Sequence, residues 1–405
     1  MEKKGQKNKE IVLAYSGGLD TSFCIPYLIE QGYTIHAVSI NTGGFKKAEL
    51  ADMKKRALAL GAKKYKNIDI SKAYYKQCVR YLLFGNILRN DTYPLSVSSE
   101  RAFQALAILK YVQEVGAKYV AHGSTGAGND QIRFDIIFES LAPEVTIITP
   151  IRDNSLSRAA EVAYLKKHGF NWSSKKKDYS INQGIWGTSV GGKETLTSHL
   201  GLPEDAYPSQ LKLKKPKEIT VTFKKGEPTH LSGKKYSNPI DLINKLNEIA
   251  SKYAIGRDVH VGDTIIGIKG RVGFEASAAL ILIKAHHLLE KHTLSKWQSH
   301  WKKQLADWYG MLLHEGQYLE PSMRNIEEFL AATQKYVSGK VTIKLKPYAF
   351  ELVGIESKHD LMNSTFGSYG EVNLAWSGDD AKGFTKILSN QHKIFYAVNK
   401  EKLTL

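Results

Sequence analysis

Ser16, Gly17, Gly18, Asp20, Thr21 and Ser22 stand together in the string AYSGGLDTS, which begins at Ala14 and closes an apolar run from Ile11. Two glycines let a backbone bend sharply and bring its N–H groups close to a ligand. The hydroxyls of Ser16, Thr21 and Ser22 add donors, and Asp20 adds a carboxylate. Placed between a strand and a helix, this set suits the phosphates of a nucleotide, because first-turn N–H groups are free and the helix dipole favours negative charge. A plain tight turn would want the glycines too, but has no use for the hydroxyls and the acid. The spacing is not that of the Gly-Lys-Ser/Thr phosphate loop, and the third glycine of the dinucleotide fingerprint is missing.

A second group lies in GSTGAGNDQIRF, residues 123–134, where three glycines lead into polar residues that open a helix. Asn129 and Asp130 stand four and three residues before Arg133, so all three can share one helix face. An ordinary helical ion pair explains Asp130 and Arg133 equally well; the Gly-rich lead-in tips the reading towards a ligand. Two further stretches carry clustered hydroxyls: Tyr93 to Arg101, where Ser98 or Ser99 reads as a helix cap, and 179–189, with Ser180 and Ser189, which also reads as a solvated linker.

These residues need a scaffold that brings loops to one edge. The first ~165 residues alternate strand and helix patterns, the mark of a parallel sheet covered on both faces. Strands are expected at 11–15, 34–40, 65–70, 119–122 and 145–149, with helices near 20–31, 45–60, 71–83, 99–115 and 158–168. In such a sheet, loops at the strands' C-terminal ends line the ligand crevice. Both Gly-rich loops follow strands, so both belong on that edge. Composition then shifts: 171–180 is Lys-rich and reads as a linker, and 181–205 is rich in Gly, Ser and Thr without periodicity. A hairpin over 219–231, a helix at 239–253, β-like runs in 255–275, one long helix over 280–303 and strands at 341–350 and 393–398 describe an α+β second half. The divisions are 1–170, 171–378 and a helix–strand tail at 379–405.

The 405 residues are ordinary in composition, 42% hydrophobic and 24% charged, and no apolar run approaches a membrane span. Cys24 and Cys78 are the two cysteines, too few for a disulfide framework or a cysteine zinc site. The polar N-terminus shows no signal peptide, and the expected compartment is the cytoplasm. A net charge of +17 suits nucleic acid or anionic small molecules; the lysine runs at 175–177 and 212–217 lack interleaved aromatics, which favours the small molecules.

The string AYSGGLDTS resembles the PP-loop of ATP pyrophosphatases, and within that group the argininosuccinate synthetase family. GSTGAGNDQIRF is similar to a second family block, departing at Ala127 where the family has lysine. The resemblance implies a Rossmann-like nucleotide domain with an α+β synthetase and multimerisation domain. It implies an ATP-dependent C–N ligase joining citrulline to aspartate through a citrullyl-adenylate, with ATP and Mg²⁺ as cofactors. Carried over position by position, Ala14, Tyr15, Ser16, Gly17, Gly18, Leu19, Asp20, Thr21, Ser22, Ile40 and Gly123 hold ATP. Tyr93, Ser98, Asn129, Arg133, Ser180 and Ser189 hold citrulline; Thr125, Asn129 and Asp130 hold aspartate. Asp20 is the candidate for placing Mg²⁺. The implied partners are these small molecules and further copies of the chain in a homotetramer, with neither nucleic acid nor membrane. Where the family has a citrulline-binding glutamate and tyrosine, this chain has Gly262 and Phe274, which opens the alternative of an N-acylated citrulline. A tRNA-modifying adenylating enzyme and a non-catalytic nucleotide-binding protein are the other readings.

Overall fold

The computed structural model describes residues 9–172, 179–363, 370–371 and 375–400; the lysine run at 175–177 lies outside them. One compact unit extends through His359, and a second begins at Asp360.

The first sheet is β1 (Lys9–Ala14), β2 (Tyr33–Asn41), β3 (Lys64–Asp69), β4 (Tyr119–His122) and β5 (Thr146–Ile148), in the order β3-β2-β1-β4-β5. All its pairings are parallel. β1 is central, and Ile11, Val12 and Leu13 are fully buried, as a strand covered on both faces requires. The helices between the strands are α1 (Leu19–Glu30), α2 (Lys47–Ala59), α3 (Ser71–Tyr74), α4 (Arg80–Phe84), α5 (Glu100–Val115), α6 (Asp130–Leu141), α7 (Pro150–Asp153) and α8 (Arg158–Lys167). The helix expected at 71–83 is not continuous α: a π turn, Tyr75–Val79, joins α3 to α4. Ser71 does not cap it; the Asp69 carboxylate accepts from the Ser71 N–H at 2.9 Å and does that work. The parallel sheet predicted from alternation is thus present.

Two antiparallel sheets follow. One runs β10 (Lys234–Lys235), β9 (Glu227–Leu231), β8 (Lys217–Lys224), β13 (Gly339–Lys346), β14 (Ala349–Glu356). The expected hairpin near 219–231 turns on Lys225 and Gly226, both with positive φ (51° and 79°), which matches the twist of the flanking strands. The single strand expected at 341–350 is a hairpin instead, turning beside Tyr348 at φ 63°. The other sheet runs β11 (Arg257–Asp263), β12 (Lys269–Glu275), β7 (Gly187–Gly191), β6 (Ser180–Gly184). Its β6–β7 hairpin inverts the usual pattern. The turn residues Ile185 and Trp186 are each 1% exposed, while the strands carry small and polar residues, so alternation gave no signal for it.

Helices α9 (Pro239–Ala250), α10 (Ser277–Thr293), α11 (Lys296–His314) and α12 (Pro321–Thr333) complete this unit. The long helix expected over 280–303 is broken between α10 and α11. There Ser295 Oγ accepts from Gln298 N (3.4 Å) and Gln298 Oε1 accepts from Ser295 N (3.1 Å), a capping box spelled out as S-x-x-Q. In the second unit, α13 (Gly378–Leu388) is followed by α14 (Asn390–Asn399). The tail is therefore helix–helix, and the strand expected at 393–398 is helical: the apolar run from Ile394 to Val398 fits either period by itself and lies inside the longer helix α14. Among the described residues, no helix is long and apolar enough to cross a membrane.

Candidate active site

The Gly-rich loop after β1 takes the shape its residues predict. Gly17 has φ +75°, and a Cβ there would lie 2.8 Å from Met53 Cγ. Gly18 is the N-cap of α1 in extended backbone and supplies no side chain to the first turn, which leaves those N–H groups for an anion. Ser16 Oγ lies 3.1 Å from Thr21 Oγ1 and accepts from Gly18 N at 3.3 Å, so the hydroxyls brace the bend. Ser39 Oγ donates to Tyr15 O at 2.7 Å, and Arg56 NH1 donates to Gly17 O at 2.5 Å. Leu19 and Ser22 are buried behind the loop, Ala14 is half-buried at the end of β1, and Ile40 is buried near the end of β2.

The second loop leaves β4, the next strand over. A Cβ on Gly123 would meet Thr21 N at 3.1 Å and Asp20 C at 3.2 Å, so the two loops touch backbone to backbone because residue 123 is glycine. Thr125 and Ala127 are exposed beyond it. His122 is held by Asp135, Nε2 to Oδ1 at 2.8 Å, with Arg152 on the same carboxylate at 2.6 Å. At the start of α6 the Asp130 carboxylate accepts from Arg101 Nε (2.8 Å) and Arg133 NH1 (3.0 Å). Burial draws this carboxyl upward, but the two guanidiniums outweigh it and hold Asp130 below its usual range. Asp130 and Arg133 are therefore more than an i,i+3 pair: Arg133 also donates to His314 O from Nε (2.9 Å) and NH2 (2.8 Å). Asn129 Oδ1 accepts from Ile265 N at 2.9 Å, which ties the loop to the β11–β12 turn.

The third component is one face of the β11-β12-β7-β6 sheet. Cross-strand register sets Asn182 opposite Ser189 and Ser189 opposite Phe274. Side chains alternate along a strand, so Ser180, Asn182, Ser189, Phe274, His260 and Gly262 share that face. Tyr93 lies against it, stacked on His260 (5.3 Å between ring centroids) and tilted against Phe274 (5.4 Å). The Tyr93 hydroxyl accepts from Val97 N at 3.2 Å and from Ser96 Oγ at 3.3 Å. Ser98 Oγ is buried without a hydrogen-bond partner, Ser189 is buried, and Ser180 is exposed. Arg101 NH2 reaches Asn182 Oδ1 at 3.5 Å, linking α5, Asp130 and the sheet face.

Residues 10–171 match the family model described as the arginosuccinate synthase N-terminal HUP domain, and 179–395 match the arginosuccinate synthase C-terminal domain. The chain belongs to the argininosuccinate synthase family. Among curated relatives, the argininosuccinate synthase of Dictyoglomus turgidum is 36% identical over 96% of this chain and 98% of its own length. That of Xanthomonas campestris is 36% identical over 97% and 100%. That of Methanocaldococcus jannaschii is 35% identical over 90% and 92%. A solved 4-thiouridine synthetase in complex with RNA and ATP is 17% identical over 40% of this chain and 41% of its own, with a TM-score of 0.30. Family membership in both halves favours the argininosuccinate synthase reading over the tRNA-modifying one.

Several groups at the site of this argininosuccinate synthase family member were not singled out from sequence. Arg56 is 39 residues from the loop carbonyl that it braces, and the Arg101 contact with Asp130 spans 29 residues, so neither has a local signal. Glu161 on α8 is buried and hydrogen-bonded beside Asp20; burial first, then the charge of Asp20, pushes its carboxyl up. Glu100, at the first turn of α5, is 2% exposed, and burial pushes it up to about 8 despite Arg101.

Proposed function

We propose that the chain is an ATP-dependent ligase that condenses citrulline with aspartate to argininosuccinate, releasing AMP and pyrophosphate. What supports this reading most is the close approach of Gly123 to the backbone of Thr21 and Asp20, since Gly123 begins the loop that leads into Asn129, Asp130 and Arg133. The ureido oxygen of citrulline attacks the α-phosphorus of ATP, and the bond to the β-phosphate breaks as pyrophosphate leaves. The aspartate amine then attacks the ureido carbon, loses its proton and displaces AMP. Neither step asks for a protein nucleophile; positioning and charge stabilisation suffice.

In this reading the N–H groups and hydroxyls of Ser16–Ser22 hold the departing pyrophosphate, Ala14 and Ile40 flank the adenine, and Gly123 gives backbone access to the nucleotide. Asp130, kept ionised by two arginines, faces the aspartate amine beside Thr125 and Asn129. Tyr93, Ser98, Arg133, Ser180 and Ser189 hold citrulline. Asp20 offers a carboxylate oxygen of the kind Mg²⁺ takes alongside nucleotide phosphates, so this residue fits that ion, while the buried Glu161 beside it holds a proton. Bound there with the phosphates, Mg²⁺ supplies charge neutralisation for the leaving group. We also propose a cytoplasmic homotetramer. The exposed Trp297, Trp301 and Trp308 on α11 support an oligomer surface.

The test is AMP and pyrophosphate formation from ATP, aspartate and a citrulline donor, with omission of each. ADP in place of AMP, or turnover that needs tRNA, overturns the proposal.

A further inference from the structure

Four cationic or imidazole side chains converge on the sheet face beside Tyr93: Arg89, Arg133, His260 and His314. Burial and the charge of Arg89 lower His260. Burial, then Arg133, Arg89 and His260, push His314 down to about 3. Both imidazoles therefore feel neighbouring positive charge, and the carboxylates close by are already engaged. Asp130 is committed to Arg101 and Arg133. Asp263 projects to the opposite face of β11, where Lys269 holds it at 2.5 Å; the charge of Arg89 reaches it, but the side chain that donates to it is Lys269. Asp258 is exposed and accepts from its neighbour Val259 N at 2.7 Å.

Three nitrogens of this cluster are left over, His314 Nε2 among them. His260 Nδ1, on a side chain 5% exposed, and Arg89 Nε are both buried without a hydrogen-bond partner. A buried polar group in that state costs free energy until a ligand satisfies it. Residue 262 cannot supply the missing acid. A Cβ on Gly262 would lie 2.7 Å from His260 Nε2 and 3.2 Å from Asn90 Nδ2, so the 89–93 turn rests on bare backbone there. Asn90 Nδ2 fastens that turn by donating to Val261 O at 3.1 Å. An ammonium placed at this spot would meet guanidinium and imidazole groups and no free carboxylate. A carboxylate placed there would satisfy Arg89 and His260 together.

We propose that this pocket receives an anionic acyl group carried on the α-nitrogen of the ureido substrate, so that the preferred donor is an N-acyl citrulline whose acyl chain ends in a carboxylate. This rests on the sheet face being the ureido-substrate site. Acylation removes the ammonium that the pocket would repel, and the terminal carboxylate pairs with Arg89 and His260.

The experiment compares kcat/KM for N-succinyl-citrulline, N-acetyl-citrulline and citrulline at saturating ATP and aspartate, reading AMP. The expected order is succinyl, acetyl, plain, with about 30-fold between first and last, the size of one charge-assisted contact. Arg89→Gln lowers the succinyl preference about tenfold. In the wild-type protein, N-succinyl-citrulline added without ATP raises the titration midpoint of His260 followed by NMR. Plain citrulline used as well as or better than the succinyl compound, or a His260 titration that does not move, overturns the inference and leaves the ligase reading standing. No AMP from any of the three donors overturns both.

Discussion

The nucleotide edge and the antiparallel sheet face hold polar groups with different materials. At the edge the working parts are backbone: free N–H groups of α1, a bend at Gly17, and two loops in contact because Gly123 has no side chain. On the sheet face the working parts are side chains from four strands, set in a row by register, with Tyr93 stacked across them. A backbone cradle tolerates few residue types but reads any phosphate alike. A side-chain face can change its charge by single substitutions without disturbing its fold, and here it has become basic. On the proposed reading the two regions divide chemistry from specificity: the edge is assigned adenylation, and the face is assigned the choice of what is adenylated.

Asp130 joins the two regions, and removing it is the severest way to break the comparison. Asp130→Ala leaves Arg101 and Arg133 without their shared carboxylate, and both guanidiniums are largely buried. We expect kcat/KM for aspartate to fall about 1000-fold. Unfolding free energy should fall by about 2 kcal/mol, less than for a wholly buried pair because the Asp130 side chain is 39% exposed. Steady-state kinetics and denaturant titration check the two separately. A mutant that retained aspartate affinity would make this carboxylate purely structural.

Gly123→Ala attacks the edge alone. Its methyl would press on Thr21 N and Asp20 C, which are backbone and cannot rotate aside. Overpacking of this kind costs about 1–3 kcal/mol, and we expect KM for ATP to rise about tenfold while the N-acyl preference stays unchanged. Kinetics with each donor at varied ATP would show whether edge and face are separable in this way.

The same contrast explains what could be read from sequence. The edge is local: strand, bend and helix start lie within twelve consecutive letters, and the alternation that builds the parallel sheet is itself a sequence pattern. The face is non-local. Ser189 opposes Phe274 only through the β7–β12 pairing, and the β6–β7 hairpin gives no alternation because each strand has a single apolar residue, Ile181 or Val190, and the bulkiest buried ones are in the turn. Arg89 carries no motif; what positions it is a turn with Asn90 and Asp91 in left-handed backbone that lies across β11. The tail was misread for a related reason: the apolar residues of 393–398 are too few to distinguish helix from strand without their neighbours.

Asn129→Ala sharpens the comparison by cutting the tie between loop and face. It removes the acceptor for Ile265 N at 2.9 Å, a loss of about 1 kcal/mol. KM for both amino-acid substrates should rise about fivefold. Asn129→Asp keeps the acceptor oxygen and should restore thermal stability but not full activity. Equal behaviour of the two variants would show that the tie is unimportant.

The smallest effect concerns Glu100, which packs between the regions: a Cβ on Gly184 would collide with its carboxyl, and Gln104 Nε2 donates to it at 3.4 Å. Burial raises its pKa from 4.5 to about 8, so the folded protein keeps a proton that the unfolded chain has released. Its contribution to stability is whole below pH 4.5, declines as pH rises, and is gone above about 8. Glu100→Gln has no proton to lose, so its melting temperature should fall less steeply than the wild type's between those limits. Parallel slopes for the two proteins would mean that another group sets the alkaline limb, with Glu161 beside Asp20 the next to test, since burial and a neighbouring acid raise it in the same direction.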